Sequence, residues 1–161
     1  MKKVFLVFLV MITGTFVSAQ STWSIGPMLH WNIGDKKVRT TFGVEFSYWN
    51  WRHFPYSIDG GVEFGKQRIR FYSEVQTGVG VAGVAAGPVF EIQTDKPAFK
   101  PGFQFSLWAC YIGGFDIRFR FIDKHHFVCP GLFLKIPFHQ LDANGDPVKG
   151  LPHYHHHHDD D

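Results

Sequence analysis

The sequence predicts an all-β fold, an eight-stranded antiparallel up-and-down β-barrel. After the first twenty residues, apolar residues recur with a period of two, which is typical of strands, and no segment sustains the 3.6-residue period of a helix. Clusters of Gly, Pro, Asp and Lys divide the alternating stretches into eight segments. The 161 residues are enough for one domain but not for two of ordinary size.

The first residues predict a secretory signal peptide. Lys2 and Lys3 give a positive start, residues 4–12 form an unbroken apolar run, and residues 17–19 are Val, Ser and Ala, which suit a cleavage site. A membrane anchor is the alternative, but it needs about 20 apolar residues, and Thr13, Gly14 and Thr15 interrupt this run. We therefore expect residues 1–19 to be removed and the mature chain to be exported.

Eight candidate strands follow the signal peptide. The alternation is clearest in residues 41–48, 56–65 and 115–121. The predicted strands are residues 22–32, 38–49, 56–65, 68–78, 82–94, 99–109, 114–122 and 126–138. Their lengths are close to the roughly 9–11 residues that a tilted strand needs to cross a bilayer, and short connections predict hairpins. The barrel is assigned to residues 20–138, and the polar residues 139–161 to a disordered His/Asp-rich tail.

One face of the predicted strands carries charges of both signs and many glycines. Six acidic and five basic residues share it, which suits a narrow interior where each charge needs a partner. A soluble exterior would instead carry Lys and Glu at most positions and few glycines. We expect a charge network in the lumen formed by Glu45, Asp59, Glu63, Arg68, Arg70, Glu74, Glu91, Asp116, Arg118 and Arg120, with Lys135 on the same face.

The other face is too rich in aromatic rings for the interior of an eight-stranded barrel. On the outside of a barrel in lipid, the number and size of aromatic side chains are not restricted by the interior volume. The sequence therefore favours a transmembrane barrel over a soluble one. The residues predicted to face lipid are Trp23, Trp31, Phe46, Phe64, Phe105 and Phe119. Trp49, Trp51 and Tyr56 lie near strand ends and are predicted to belong to an aromatic girdle at the inner membrane–water interface.

Each of the four odd-numbered turns contains a lysine, at residues 35–37, 66–67, 95–96 and 123–125. Alternate turns of an up-and-down barrel lie at the same end, so these lysines should form one ring. If the N-terminus is periplasmic, that ring faces outward, where lipopolysaccharide phosphates are an expected partner. Ordinary solubility of tight turns would explain the same lysines.

The signal peptide, the eight alternating segments and the final strand together resemble the small OmpA-like and OmpX-like outer-membrane barrels. Residues 132–138, Leu-Phe-Leu-Lys-Ile-Pro-Phe, resemble the C-terminal signal that the barrel-assembly machinery reads, and Ser18-Ala19-Gln20 is similar to signal ends of exported Bacteroidota proteins. The resemblance implies a bacterial, Gram-negative outer-membrane location. Pro137 within the final strand and the chain that follows Phe138 depart from the pattern.

No motif for catalysis is found, so we expect no enzymatic activity, cofactor or metal centre. The chain contains no His-x-Ser pair of an outer-membrane lipid deacylase, no Gly-x-Ser-x-Gly elbow and no His-Glu-x-x-His motif. The His/Asp-rich tail could bind a metal or could be an affinity tag. Cys110 and Cys129 are predicted on strands separated by a third, about 9–10 Å apart, which is too far for a disulfide.

Three functional hypotheses remain. The first is a non-enzymatic outer-membrane barrel of structural or interaction type with a salt-bridge-plugged lumen. The second is a soluble periplasmic, lipocalin-like barrel that binds an apolar ligand, and the third is an outer-membrane lipid-modifying enzyme. Nucleic acid is not an expected partner, because the net charge is only +2.

Overall fold

A computed structural model describes residues 21–34, 37–51, 54–79, 81–95, 98–110, 112–142 and 147. The predicted signal peptide and most of the predicted tail lie outside these described residues. The described chain forms a closed antiparallel β-barrel, which confirms the predicted fold class. Its strands are β1 Ser21–Gly34, β2 Lys37–Asn50, β3 Tyr56–Gly65, β4 Arg68–Val79, β5 Ala82–Gln93, β6 Ala98–Ala109, β7 Gly113–Ile122, β8 His125–Leu134 and β9 Ile136–Leu141.

Each strand pairs with the next along the chain, and β1 closes the barrel by pairing with β8 and β9. The connections β1–β2, β3–β4, β5–β6 and β7–β8 therefore lie at one end, which we call the tight-turn end. Both ends of the barrel segment lie at the opposite end, the terminal end, where Ser21 pairs with Leu141. Within the described chain, no helix has the length and apolar character needed to cross a membrane.

The final strand differs from the prediction. Each of the first seven predicted strands begins and ends within two residues of the observed one, but the eighth is divided at Lys135 into β8 and β9 and continues to Leu141. The register with β1 shifts by one residue between Trp23 and Ser24, whose partners are His139 and Pro137, so Phe138 is an extra residue on β9. Residues 139–141 therefore belong to the barrel and not to the tail.

Pro27, Pro88 and Pro130, three of the four prolines within the other strands, do not reverse the facing of the residues that follow. Pro27 lies opposite Val44, Pro88 opposite Phe103 and Pro130 opposite Ile117. The register of each pair of strands is the same before and after the proline. The missing donors are tolerated without a bulge, so each strand keeps one face inside and one face outside over its length.

Inward glycines make room for large interior side chains. The Tyr72 ring lies over Gly61, its partner on β3, so that a Cβ at Gly61 would meet ring atoms at 2.5–2.7 Å. Trp108 covers Gly78 and Gly83 in the same manner. An eight-stranded barrel has an interior only wide enough for side chains to fill, so large residues must alternate with small ones.

Candidate functional site

The barrel interior is the candidate site, because it holds buried ionisable groups. The structure places all ten charged residues of the predicted lumen set, and also Lys135, in the interior, where none is more than 8 % exposed. It also buries His30 completely, a residue that the sequence analysis did not select. Strict alternation along β1 would have found it, since its neighbours Leu29 and Trp31 were both assigned to the outer face. We call these charged residues together with His30 the lumen network.

Glu63 on β3 is the centre of the lumen network. Arg120 on β7 donates to both of its carboxylate oxygens, and the Nη1–Oε2 distance is 2.7 Å. The Nδ1 atom of His30 lies 3.3 Å from Oε1, and guanidinium nitrogens of Arg118 and Arg70 lie 3.7 Å and 3.9 Å away. Four cationic or basic groups from β1, β4 and β7 thus surround one buried carboxylate.

Arg118 links Glu63 to the carboxylates on other strands. Its Nε donates to Asp116 Oδ2 at 2.6 Å and its Nη2 donates to Glu45 Oε2 at 2.8 Å. Its guanidinium carbon lies 4.5 Å from the centroid of the Tyr72 ring, in a cation–π arrangement. Tyr72 in turn donates to Glu45, so three strands are joined through one guanidinium group.

Asp116 and Glu74 complete this layer. Asp116 lies 2.9 Å from Nε2 of His30, so the imidazole stands between two carboxylates. Glu74 accepts a hydrogen bond from Ser106 at 2.8 Å, and its other oxygen lies 4.0 Å from Arg118. Every carboxylate in the layer therefore contacts either a cation or a hydroxyl donor.

Lys135 occupies the interior toward the terminal end. Its Nζ lies 2.8 Å from Glu45 and 2.5 Å from Asp59, and it stands 5.5 Å from the centroid of the Trp49 ring. Asp59 also accepts hydrogen bonds from Ser57 and Gln76. Because Lys135 points inward, the interruption of the strand between β8 and β9 coincides with an ion-pair site.

Arg68 and Arg70 occupy the interior toward the tight-turn end. Both donate to the same oxygen of Glu91, at 3.1 Å and 2.8 Å. In the β3–β4 ladder, Glu63 lies directly opposite Arg70 and not Arg68. The lumen network therefore extends from Lys135 near one end of the barrel to Arg68 near the other.

The outer surface carries most of the predicted aromatic residues. Phe46, Phe64 and Phe105 are exposed, and Phe119, Trp23, Trp31 and Tyr56 are partly exposed on the same outer side. Trp23 packs against Tyr48 and Phe46, with ring centroids 4.5 Å and 5.2 Å apart. These three rings lie on the outer wall between its middle and the terminal end.

Trp49 and Trp51 correct the predicted girdle. Trp49 is only 5 % exposed and points into the barrel, as the alternation with Ser47 and Glu45 requires. Trp51 stacks on it with centroids 5.0 Å apart, and Trp108 meets it edge-on at 5.5 Å. Position at a strand end suggested an interfacial role, but inward parity and the stacking place both rings over the lumen at the terminal end.

Among the residues that the structure describes, the remaining reactive groups form no recognisable catalytic arrangement. Ser57 donates to Asp59 and is buried, with Lys135 rather than a histidine beside that carboxylate. Cys110 is exposed and Cys129 is buried, and both are free thiols, as the strand spacing predicts. In the described ranges, no three His, Cys, Asp or Glu side chains are grouped to hold a metal ion.

Comparison with known proteins yields a structural likeness but no sequence family. No protein-family model matches the chain, and no curated protein matches it. Among solved structures, the chain is similar to the solution NMR structure of the de novo designed protein TMB2.3, with 14 % sequence identity and a TM-score of 0.49. The match covers 74 % of this chain and 95 % of the designed one.

Proposed function

We propose that this chain is a transmembrane β-barrel of a bacterial outer membrane, of structural or interaction type, with a lumen closed by ion pairs and no catalytic activity. One observation carries the proposal: the barrel is apolar outside and charged inside. The charged interior is the lumen network described above, whereas the large apolar side chains lie mostly on the outside.

The outer wall is free of strong charge. Of the outward strand positions that the structure describes, none is Asp, Glu, Lys or Arg. Large apolar residues occupy them instead, among them Phe42 (54 % exposed), Phe71 (46 %) and Leu132 (52 %). Soluble monomers rarely expose a continuous apolar surface of this extent, and an outward Lys or Arg at the bilayer midplane costs about 2–4 kcal/mol. Lipid is the environment that fits such a wall.

Of the charged residues that the structure describes, the exposed ones lie at the tight-turn end. They include Lys37, Lys66, Asp95, Asp123 and Lys124, all in or beside the turns. A band of apolar wall bounded by charged turns is the pattern expected of a barrel that crosses a bilayer. This distribution supports the proposal that the turns face the external leaflet, with lipopolysaccharide phosphates as partners.

The soluble alternative is disfavoured by the same geometry. A lipocalin-like protein places apolar side chains inside to hold an apolar ligand. Here the interior contains Glu63, Arg70, Arg120 and other charged groups at or below 8 % exposure, so charged side chains occupy the place where an apolar ligand would lie. A lipid-modifying enzyme remains a weaker candidate, because the sequence contains no His-x-Ser pair of an outer-membrane lipid deacylase.

The assignment to a particular class of outer-membrane barrel rests on the sequence alone. The signal-peptide residues and the alternation in the final strand support an OmpA-like or OmpX-like protein of Bacteroidota type that the barrel-assembly machinery inserts. Cell fractionation tests the proposal most directly. We expect recovery in the outer membrane and slower gel migration after boiling, which is typical of barrels that resist detergent while folded. Recovery as a soluble periplasmic monomer would overturn it.

A further inference from the structure

The tight-turn end of the barrel opens into a pocket of about 180 Å³. Three cationic side chains line it, Arg39 on β2, Arg68 on β4 and Lys100 on β6, and Glu91 is the one carboxylate among the lining residues. The pocket therefore lies above the lumen network and has an excess of positive charge that the network itself does not have.

Glu91 does not neutralise this excess. Its Oε2 already accepts from Arg68 at 3.1 Å and from Arg70, below the pocket, at 2.8 Å. Lys100 lies directly opposite Glu91 in the β5–β6 ladder, yet its ammonium group forms no ion pair with it. Within the described chain, neither Arg39 nor Lys100 has a carboxylate within 4.0 Å, so two cations face the pocket without an acidic partner.

The floor of the pocket is closed. Ile122 and Phe127 line it and are 1 % and 9 % exposed, and the Arg70 guanidinium lies 5.4 Å from the centroid of the Phe127 ring. A cleft whose lining carries more positive than negative charge concentrates the field and attracts anions. An anion that enters from the tight-turn end meets the cations but cannot pass into the lumen.

We infer that this pocket binds a small oxyanion, a phosphate, sulfate or carboxylate group that is either free or at the end of a larger molecule. Guanidinium groups bind oxyanions through paired N–H donors, and a lysine adds a mobile point charge. The volume of about 180 Å³ is enough for one oxyanion group and a few attached atoms. The inference goes beyond the proposed function, because it depends on the lumen geometry alone.

The test uses the full mature chain, folded in non-ionic detergent micelles, and pyrophosphate as the probe in calorimetric titration at low salt. We expect saturable binding that Arg39→Gln and Lys100→Gln each weaken by about tenfold, the change expected for one charge-assisted hydrogen bond. Lys66→Gln is the matched control, because it removes the same charge from an exposed turn outside the pocket. It should leave the affinity unchanged.

Two results would overturn the inference: no saturable binding of pyrophosphate, or an equal loss of affinity in the Lys66→Gln control, which would indicate general attraction to a positive end. Deacylated lipopolysaccharide serves as a second probe. Competition with pyrophosphate would identify a saccharide-borne phosphate as a possible source, whereas binding of pyrophosphate alone would identify a free oxyanion. The titration needs no bilayer, so its failure is distinguishable from failure of membrane insertion.

Discussion

Arg120 on β7 binds both carboxylate oxygens of Glu63 on β3, four strands away around the barrel wall. Both side chains are fully or almost fully buried, and each has further partners in the lumen network. Two such charges in a water-poor interior interact strongly, and each is costly if it loses its partner.

A double-mutant cycle on this pair should therefore be strongly non-additive. Glu63→Gln or Arg120→Met alone should destabilise the barrel by about 3–5 kcal/mol, because each leaves a buried charge without its partner. The double variant should be less destabilised than the sum of the two. The measurement is unfolding in urea from detergent or liposomes. The pair Glu63→Gln and Arg70→Met, whose charged atoms are 3.9 Å apart, is the control and should show weaker coupling. Additive costs at both pairs would exclude a coupled network.

The same network should make the protein a poor pore. In planar bilayers we expect no large, steady channel from the unmodified protein, because side chains fill the lumen from Lys135 to Arg68. Replacing Arg120 and Glu63 together by alanine removes the central layer and should raise the frequency of small conductance events. Large steady channels in the unmodified protein would contradict a closed lumen.

A glycine pair on β3 provides a test of interior packing. Gly61 points inward beneath the Tyr72 ring, whereas Gly60 points outward, where a Cβ would meet its nearest atom at 3.7 Å. Gly61→Ala should destabilise the barrel by about 1–3 kcal/mol through overpacking, and Gly60→Ala should have little effect. Chemical denaturation of the two variants side by side measures the difference. Equal effects would mean that Tyr72 can move away at no cost.

The sequence predicted the sides of the strands better than the contacts within the lumen. Alternation alone assigns Glu63 and Arg70 to one face, and the hairpin turn brings them opposite each other. The closer partner, Arg120, could not be inferred from strand pairing. It lies on the opposite side of the barrel and contacts Glu63 across the lumen. His30 was missed because only the strongly charged residues and the glycines of the inner face were considered, although alternation along β1 places His30 on that face.

Trp49 illustrates a conflict between two sequence signals. A tryptophan at a strand end is typical of a membrane interface, and the prediction of a girdle position for Trp49 depends on this signal. Its parity with Glu45 and Ser47 indicated the interior, and the structure follows parity because the Trp108 and Trp51 rings and the Lys135 ammonium group provide a packing site there. Parity along an unbroken strand is therefore the stronger signal.

Tryptophan quenching should report this difference. Trp23 and Trp49 lie at nearly the same height, since Trp23 is paired with Tyr48, but on opposite sides of the wall. In vesicles of brominated lipid, Trp23→Phe should reduce the quenched part of the fluorescence, and Trp49→Phe should reduce the unquenched part. Absence of quenching in the unmodified protein would argue against membrane insertion.

A charge placed on the outer wall distinguishes a membrane barrel from a soluble one. Phe46 is 41 % exposed near the middle of β2, opposite Gly60 at the middle of β3, whereas Val38 is 64 % exposed at the tight-turn end. If the wall faces lipid, Phe46→Arg should cost about 2–4 kcal/mol, and Val38→Arg, near the interface, only about 0–1 kcal/mol.

In a soluble barrel the same wall would face water, where an added arginine at either site is nearly neutral. Folding into liposomes, followed by urea unfolding, measures both costs under one set of conditions. Because Phe46 lies on the outside, a loss of interior packing cannot account for a decrease in the free energy of unfolding of Phe46→Arg. A cost at Phe46 well above the cost at Val38 therefore requires an apolar solvent around the middle of the barrel, and similar small costs at both sites would contradict the membrane assignment.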